Sequence, residues 1–158
     1  MTIDEITEFV GGLGGVLAVR PAPGDGTPEI SWGDTFFYYA PDGVAPRTAQ
    51  PFATVVTKNY PGDELSRLDR PDTFRVNVAA GKETFSDWTG RAPRETAPDD
   101  DPGVTDTVIA HPVHGSLGWL AVVNPGGRTD EAVRRLLREA HHLARARHER
   151  RNGSAPSS

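Results

Sequence analysis

Two stretches of helical periodicity enclose a succession of short runs rich in β-branched and aromatic residues. No other feature of the chain limits the fold as much. At the first end Ile3, Ile6, Phe9, Val10 and Leu13 recur at helical spacing and define one buried stripe. Thr2 and Glu5 make a capping-box pair, in which each side chain satisfies a backbone N–H of the opening turn. Gly11, Gly12, Gly14 and Gly15 then stop the helix. At the other end Val133, Leu136, Leu137, Ala140, Leu143 and Ala144 form a second stripe, with Thr129 as the expected N-cap.

Between them, residues 16–20, 29–32, 35–39, 52–57 and 74–78 read as strands, and 82–88 as a short helix. Residues 108–111 and 119–123 read as a second strand pair. Gly33-Asp34 fits a tight hairpin turn joining 29–32 to 35–39. The three prolines and the acidic run Asp99-Asp100-Asp101 mark 91–105 as an exposed, mobile loop. The order is α, three to five β, short α, two β, long α. It predicts an α+β fold of two layers, an antiparallel sheet with helices mainly on one face. A length of 158 residues predicts one domain over 1–151 and a disordered tail over 152–158.

The opening Thr2-Ile3-Asp4-Glu5-Ile6, the segment from Ile30 to Tyr38 and the ending from Gly118 to Pro125 resemble an actinobacterial family, domain of unknown function 6194. More loosely, the helix–hairpin start and the strand–turn–helix finish are similar to the MmcQ/YjbR-like group. That similarity implies a secretion-chaperone-like architecture, which agrees with the order read from the residues. Neither resemblance supplies catalytic residues.

The absence of cysteine excludes disulfides, thiolate zinc sites and cysteine nucleophiles. The acidic start and the lack of a long apolar run predict a cytoplasmic protein without a membrane partner. The net charge is −5, yet eight arginines stand against four acids between Arg128 and Arg151. A solvated helix face is the simpler reading, and nucleic-acid binding by the last helix the alternative.

Few motifs carry chemistry. The glycines at 11–15 follow a helix and precede a strand, the reverse of a phosphate loop. Pro125-Gly126-Gly127-Arg128-Thr129 has the right order to hold an anion, though not the P-loop spacing. His111 and His114 could share a metal or serve as a general base, but no third ligand has recognisable spacing. No metal and no cofactor are expected.

Alternation places Phe36 and Tyr38 on one sheet face, with Phe37 and Tyr39 on the other. Arg75 and Asn77 likewise share a face opposite Val76 and Val78. Both faces therefore carry large or polar groups, while helices cover only one. The uncovered face is the expected binding surface, with Trp32, Tyr38, Lys58, Arg75, Asn77 and His111 as candidate residues. Its occupant is expected to be a small molecule or a protein, a homodimer partner or a small second core being the competing readings. An enzyme of specialised metabolism using a histidine base is the remaining alternative.

Overall fold

The computed structural model describes residues 1–46, 48–95 and 101–153. Its elements are α1 (Ile3–Gly11), β1 (Val16–Val19), β2 (Thr35–Tyr39), β3 (Ala53–Val56), β4 (Arg75–Ala79), α2 (Lys82–Thr89), β5 (Ile109–Ala110), β6 (Trp119–Val123) and α3 (Asp130–Gly153). Short 3-10 turns occupy Glu29–Ser31 and Gly115–Leu117. The capping box is present: Thr2 Oγ1 accepts from Glu5 N, and Glu5 accepts from Thr2 N.

The six strands form one antiparallel sheet in the order β1-β2-β3-β4-β6-β5. Alternate strand residues Phe37, Val55, Val76, Val78, Leu120 and Val122 are buried in one apolar cluster. Ile6 and Val10 of α1, Phe85 of α2, and Val133, Leu136, Leu137 and Ala140 of α3 belong to the same cluster. All three helices thus contribute to the core on that side. The opposite side chains, Phe36, Thr54, Val56, Arg75, Asn77 and Trp119, face a cleft framed by loops. Beside it Val56, Leu68 and Val123 form a small second cluster, with Tyr60 packed on it.

Three expectations are corrected. Residues 29–32 are not a strand, and no hairpin turns at Gly33-Asp34: β2 pairs with β1 and β3 instead. The reason lies at both ends of that segment. Ser31 N and Oγ both bond to the carbonyl of Pro28, closing a helical turn. Asp34 is fully buried and accepts from Thr57 N and Thr57 Oγ1, both at 2.8 Å, which draws it inward from a turn tip.

The 91–105 segment is tethered where it is described. Gly103 is buried, its carbonyl accepts from Arg70 at 2.9 Å, and Thr105 bridges to Val123. Thr96, Asp99 and Asp100 lie outside the described residues. Finally, α3 continues through Gly153, so Asn152 and Gly153 belong to the helix, and 154–158 lie outside the described residues. Among the described residues no helix is long and apolar enough to cross a membrane.

Candidate functional site

The strongest candidate is the cleft of about 650 Å³ on the sheet face away from the helix core. Its floor follows from strand register. Thr54 of β3 and Asn77 of β4 are directly paired, so their side chains emerge side by side. Asn77 Nδ2 donates to Thr54 Oγ1 at 3.0 Å. Two residues along β4, Arg75 projects from the same face and its Nε donates to Asn77 Oδ1 at 2.7 Å.

Arg75 is 1% exposed, so its charge needs a partner. Asp63 provides it in bidentate fashion, with Nη1–Oδ1 at 2.9 Å and Nη2 on Oδ2. Nη1 also donates to Ser66 Oγ at 3.0 Å. Four of the five guanidinium N–H groups therefore reach protein acceptors, and the fifth faces the His111 ring at 3.1 Å. Burial opposes ionisation of Asp63, but the hydrogen bonds and charge of Arg75 outweigh it and hold the carboxyl below its usual range.

His111 is also buried. Its Nδ1 accepts from the backbone N–H groups of Val113 and His114, at 3.1 and 3.0 Å. These bonds assign the ring proton to Nε2, which lies 3.9 Å from Asp63 Oδ2. Desolvation first, and the neighbouring guanidinium second, push its pKa down to about 3. With Nδ1 occupied by two backbone N–H groups and the proton on Nε2, the neutral ring has no free lone pair with which to act as a general base. Its ring centroid is 4.8 Å from that of the exposed His114. Among the described residues no three His, Asp or Glu side chains group as metal ligands would.

One wall is the turn Tyr60–Asp63. Asp63 N donates to Tyr60 O at 2.9 Å, and Gly62 has φ +79°. Proline followed by a left-handed glycine is the signature of a type II turn. Tyr60 Oη donates to the buried Asp34 carboxylate, and Asp34 also holds Lys58 Nζ at 2.9 Å. The other wall runs from His111 to Leu117, with Trp119 rising from β6, and Gln50 and Pro51 close one end.

Of the six residues singled out in the sequence, Arg75, Asn77 and His111 come together in this cleft. Lys58 and Trp32 meet each other instead, Lys58 Nζ donating to Trp32 O at 2.8 Å beside Asp34. Tyr38 lines a separate hollow of about 300 Å³ with Gln50 and Arg147. Sequence reasoning missed Thr54, Tyr60, Asp63 and Trp119. The Tyr60-Pro61-Gly62-Asp63 string was the available signal, since its turn chemistry puts a phenol and a carboxylate at the two ends of one loop.

A larger hollow of about 770 Å³ opens beside Met1, Arg20 and Asp72. It is lined by the exposed Asp4, Arg20 and Asp72 and by the buried Asp34, whose carboxylate is already engaged by Thr57, Tyr60 and Lys58. The anion-binding reading of the 125–129 turn also changes. Gly126 N, Arg128 N and Thr129 N all donate to the side chain of Asp106, at 2.8, 3.1 and 3.0 Å. The anion in that nest is the protein's own carboxylate.

No curated protein and no solved structure matches this chain. Residues 1–153 match a family of unknown function, DUF6194, and this coverage of nearly the whole chain shows that the protein belongs to it.

Proposed function

We propose that this chain is a small-molecule-binding domain whose ligand occupies the cleft over Thr54, Arg75, Asn77 and His111. One observation carries the reading. A buried polar floor, in which every buried side-chain nitrogen and oxygen among the described residues has at least one partner, lies beneath a concave space with aromatic and apolar walls, on the face away from the helix core. Binding sites are commonly built this way, with a few placed polar groups in an otherwise apolar concavity. The reading goes with a cytoplasmic protein of two-layer, MmcQ/YjbR-like arrangement.

The arginines of α3 give weaker support to nucleic-acid binding. Arg134, Arg135 and Arg145 are each paired with an acid one helical turn away. Catalysis by His111 is likewise disfavoured, because its one lone pair, on Nδ1, already accepts two backbone N–H groups.

The test is a ¹H–¹⁵N NMR screen of the full chain against fragments of mixed charge and shape. Binders should perturb the Asn77 side-chain amide, the Thr54 backbone amide and the Trp119 indole together. Perturbations confined to other surfaces, or a nucleic acid that shifts α3 alone, would overturn the proposal.

A further inference from the structure

We infer that this cleft selects an uncharged, planar ligand bearing hydrogen-bond acceptors, and rejects carboxylates and phosphates of the same shape. The inference rests on the binding reading above and deepens it by naming the ligand's chemical class.

An arginine in a cleft ordinarily suggests an anionic ligand, because the guanidinium fork matches carboxylate and phosphate. Here the fork is already filled. Both Nη atoms of Arg75 hold Asp63, Nε holds Asn77, and Nη1 also reaches Ser66. A ligand anion could take the guanidinium only by displacing Asp63, leaving that carboxylate unpaired beside a second negative charge. Two like charges at close range in a poorly solvated site repel strongly. A ligand cation would meet the reciprocal problem at Arg75. Lys58, the nearest lysine in sequence, is spent on Asp34 and does not line the cleft. Apart from the exposed His114, the remaining polar side chains of the lining are neutral: Gln50, Thr54, Asn77, Tyr60, His111 and Trp119.

Three of the hydrogen-bonding groups still on offer are donors. Thr54 Oγ1 accepts from Asn77, so its own O–H is left to donate. Asn77 Nδ2 uses one hydrogen on Thr54 and retains the second. Among the described residues the indole N–H of Trp119 has ring neighbours but no hydrogen-bond acceptor, and it can only donate. A ligand that meets these three groups brings acceptors such as carbonyl or ring nitrogen atoms. Phe36, Trp119 and the exposed His114 ring supply flat surfaces, while Pro51, Val113 and Leu117 supply apolar edges. Flat surfaces with apolar edges favour a planar body over a flexible polar chain.

The experiment titrates the full-length protein with pairs that differ only in charge: nicotinamide against nicotinate, benzamide against benzoate, and indole-3-acetamide against indole-3-acetate. Binding is followed at Thr54, Asn77 and Trp119 by NMR. The amide of each pair should bind about tenfold or more tightly than its carboxylate. A carboxylate that binds at these residues as tightly as its amide would overturn the inference while leaving the binding proposal standing. Failure of all six compounds to shift any of the three residues would overturn both.

Two variants separate charge from shape. Asp63→Asn removes the carboxylate that neutralises Arg75, and the preference should move toward the carboxylate of each pair; an unchanged ratio would overturn the electrostatic argument. Thr54→Val deletes one donor at nearly constant volume and remains informative if Asp63→Asn fails to fold. It should weaken the amides severalfold, and equal affinity to the parent protein would overturn the role assigned to that hydroxyl.

Discussion

Asp106 closes the entrance of α3 from outside the helix: its Oδ1 accepts from Thr129 N at 3.0 Å and from Thr129 Oγ1 at 2.6 Å. Thr129 is where the helix opens, since its carbonyl accepts from Val133 N at 2.8 Å. Its hydroxyl serves Asp106 in place of a helix amide. Hydrogen bonds from Thr129 and the turn amides push the Asp106 pKa down to about 2. The favourable charge at a helix N-terminus adds to the same preference.

Asp106→Ala should therefore lower Tm by several degrees, and added sulfate should restore more of the loss than it adds to the parent protein. Differential scanning calorimetry across sulfate concentrations checks this. The sign with pH is fixed by the depressed folded value. The contribution is complete above the ordinary carboxylate pKa near 3.8 and is lost as pH falls through about 2.

Arg75 is a structural organiser, and alanine is the wrong probe of its ligand contacts. Arg75→Ala should destabilise the fold by about 3–5 kcal/mol, because Asp63 and Asn77 lose their partner inside the site. Arg75→Met with Asp63→Leu should recover much of that loss, as apolar replacement of a buried pair is often neutral. Urea denaturation of the three proteins measures the difference. Equal stability of Arg75→Ala and the parent would contradict the assignment.

His111 makes the fold acid-sensitive. Its folded pKa of about 3 lies below the unfolded value of 6.5, so the unfolded chain takes up the proton first as pH falls. The contribution is full above pH 6.5 and is lost progressively as pH drops toward 3. The slope can reach about 1.4 kcal/mol per pH unit for one proton. His111→Asn retains an acceptor for the Val113 and His114 amides and should flatten this part of the curve. Parallel curves for the two proteins would show that another group is responsible.

Gly81 precedes α2 at φ +86°, and a Cβ there would stand 2.9 Å from Leu143 Cδ1 of α3. Backbone strain and the close approach act in the same direction. Gly81→Ala should cost about 1–3 kcal/mol, read by urea unfolding. Gly90→Ala makes the comparison, because its φ is +74° but its Cβ would meet nothing within 4 Å.

Local rules made much of the scaffold legible. Periodicity marked α1 and α3, and alternation correctly put Arg75 and Asn77 on the same face. Alternation could not say what would neutralise Arg75, since Asp63 reaches it through a loop rather than a ladder. The same limit hid Asp106, whose donors lie some twenty residues further along the chain. Glu29 to Trp32 misled for another reason. Their β-type composition was overridden by the bonds from Ser31 to Pro28 and by the burial of Asp34. The Tyr60-Pro61-Gly62-Asp63 turn was readable as a turn, but not as a wall of a cleft.

That turn is fastened at both ends, Tyr60 to Asp34 and Asp63 to Arg75. A wall held in this way does not swing like a lid. A ligand entering beside it has no loop to order on that flank, and its residence time depends on fit rather than on reopening a gate. Any adjustment falls to the opposite rim, where Val113 and Leu117 are exposed. Differences in affinity among related ligands should therefore appear in how fast they leave, with rates of arrival nearly alike.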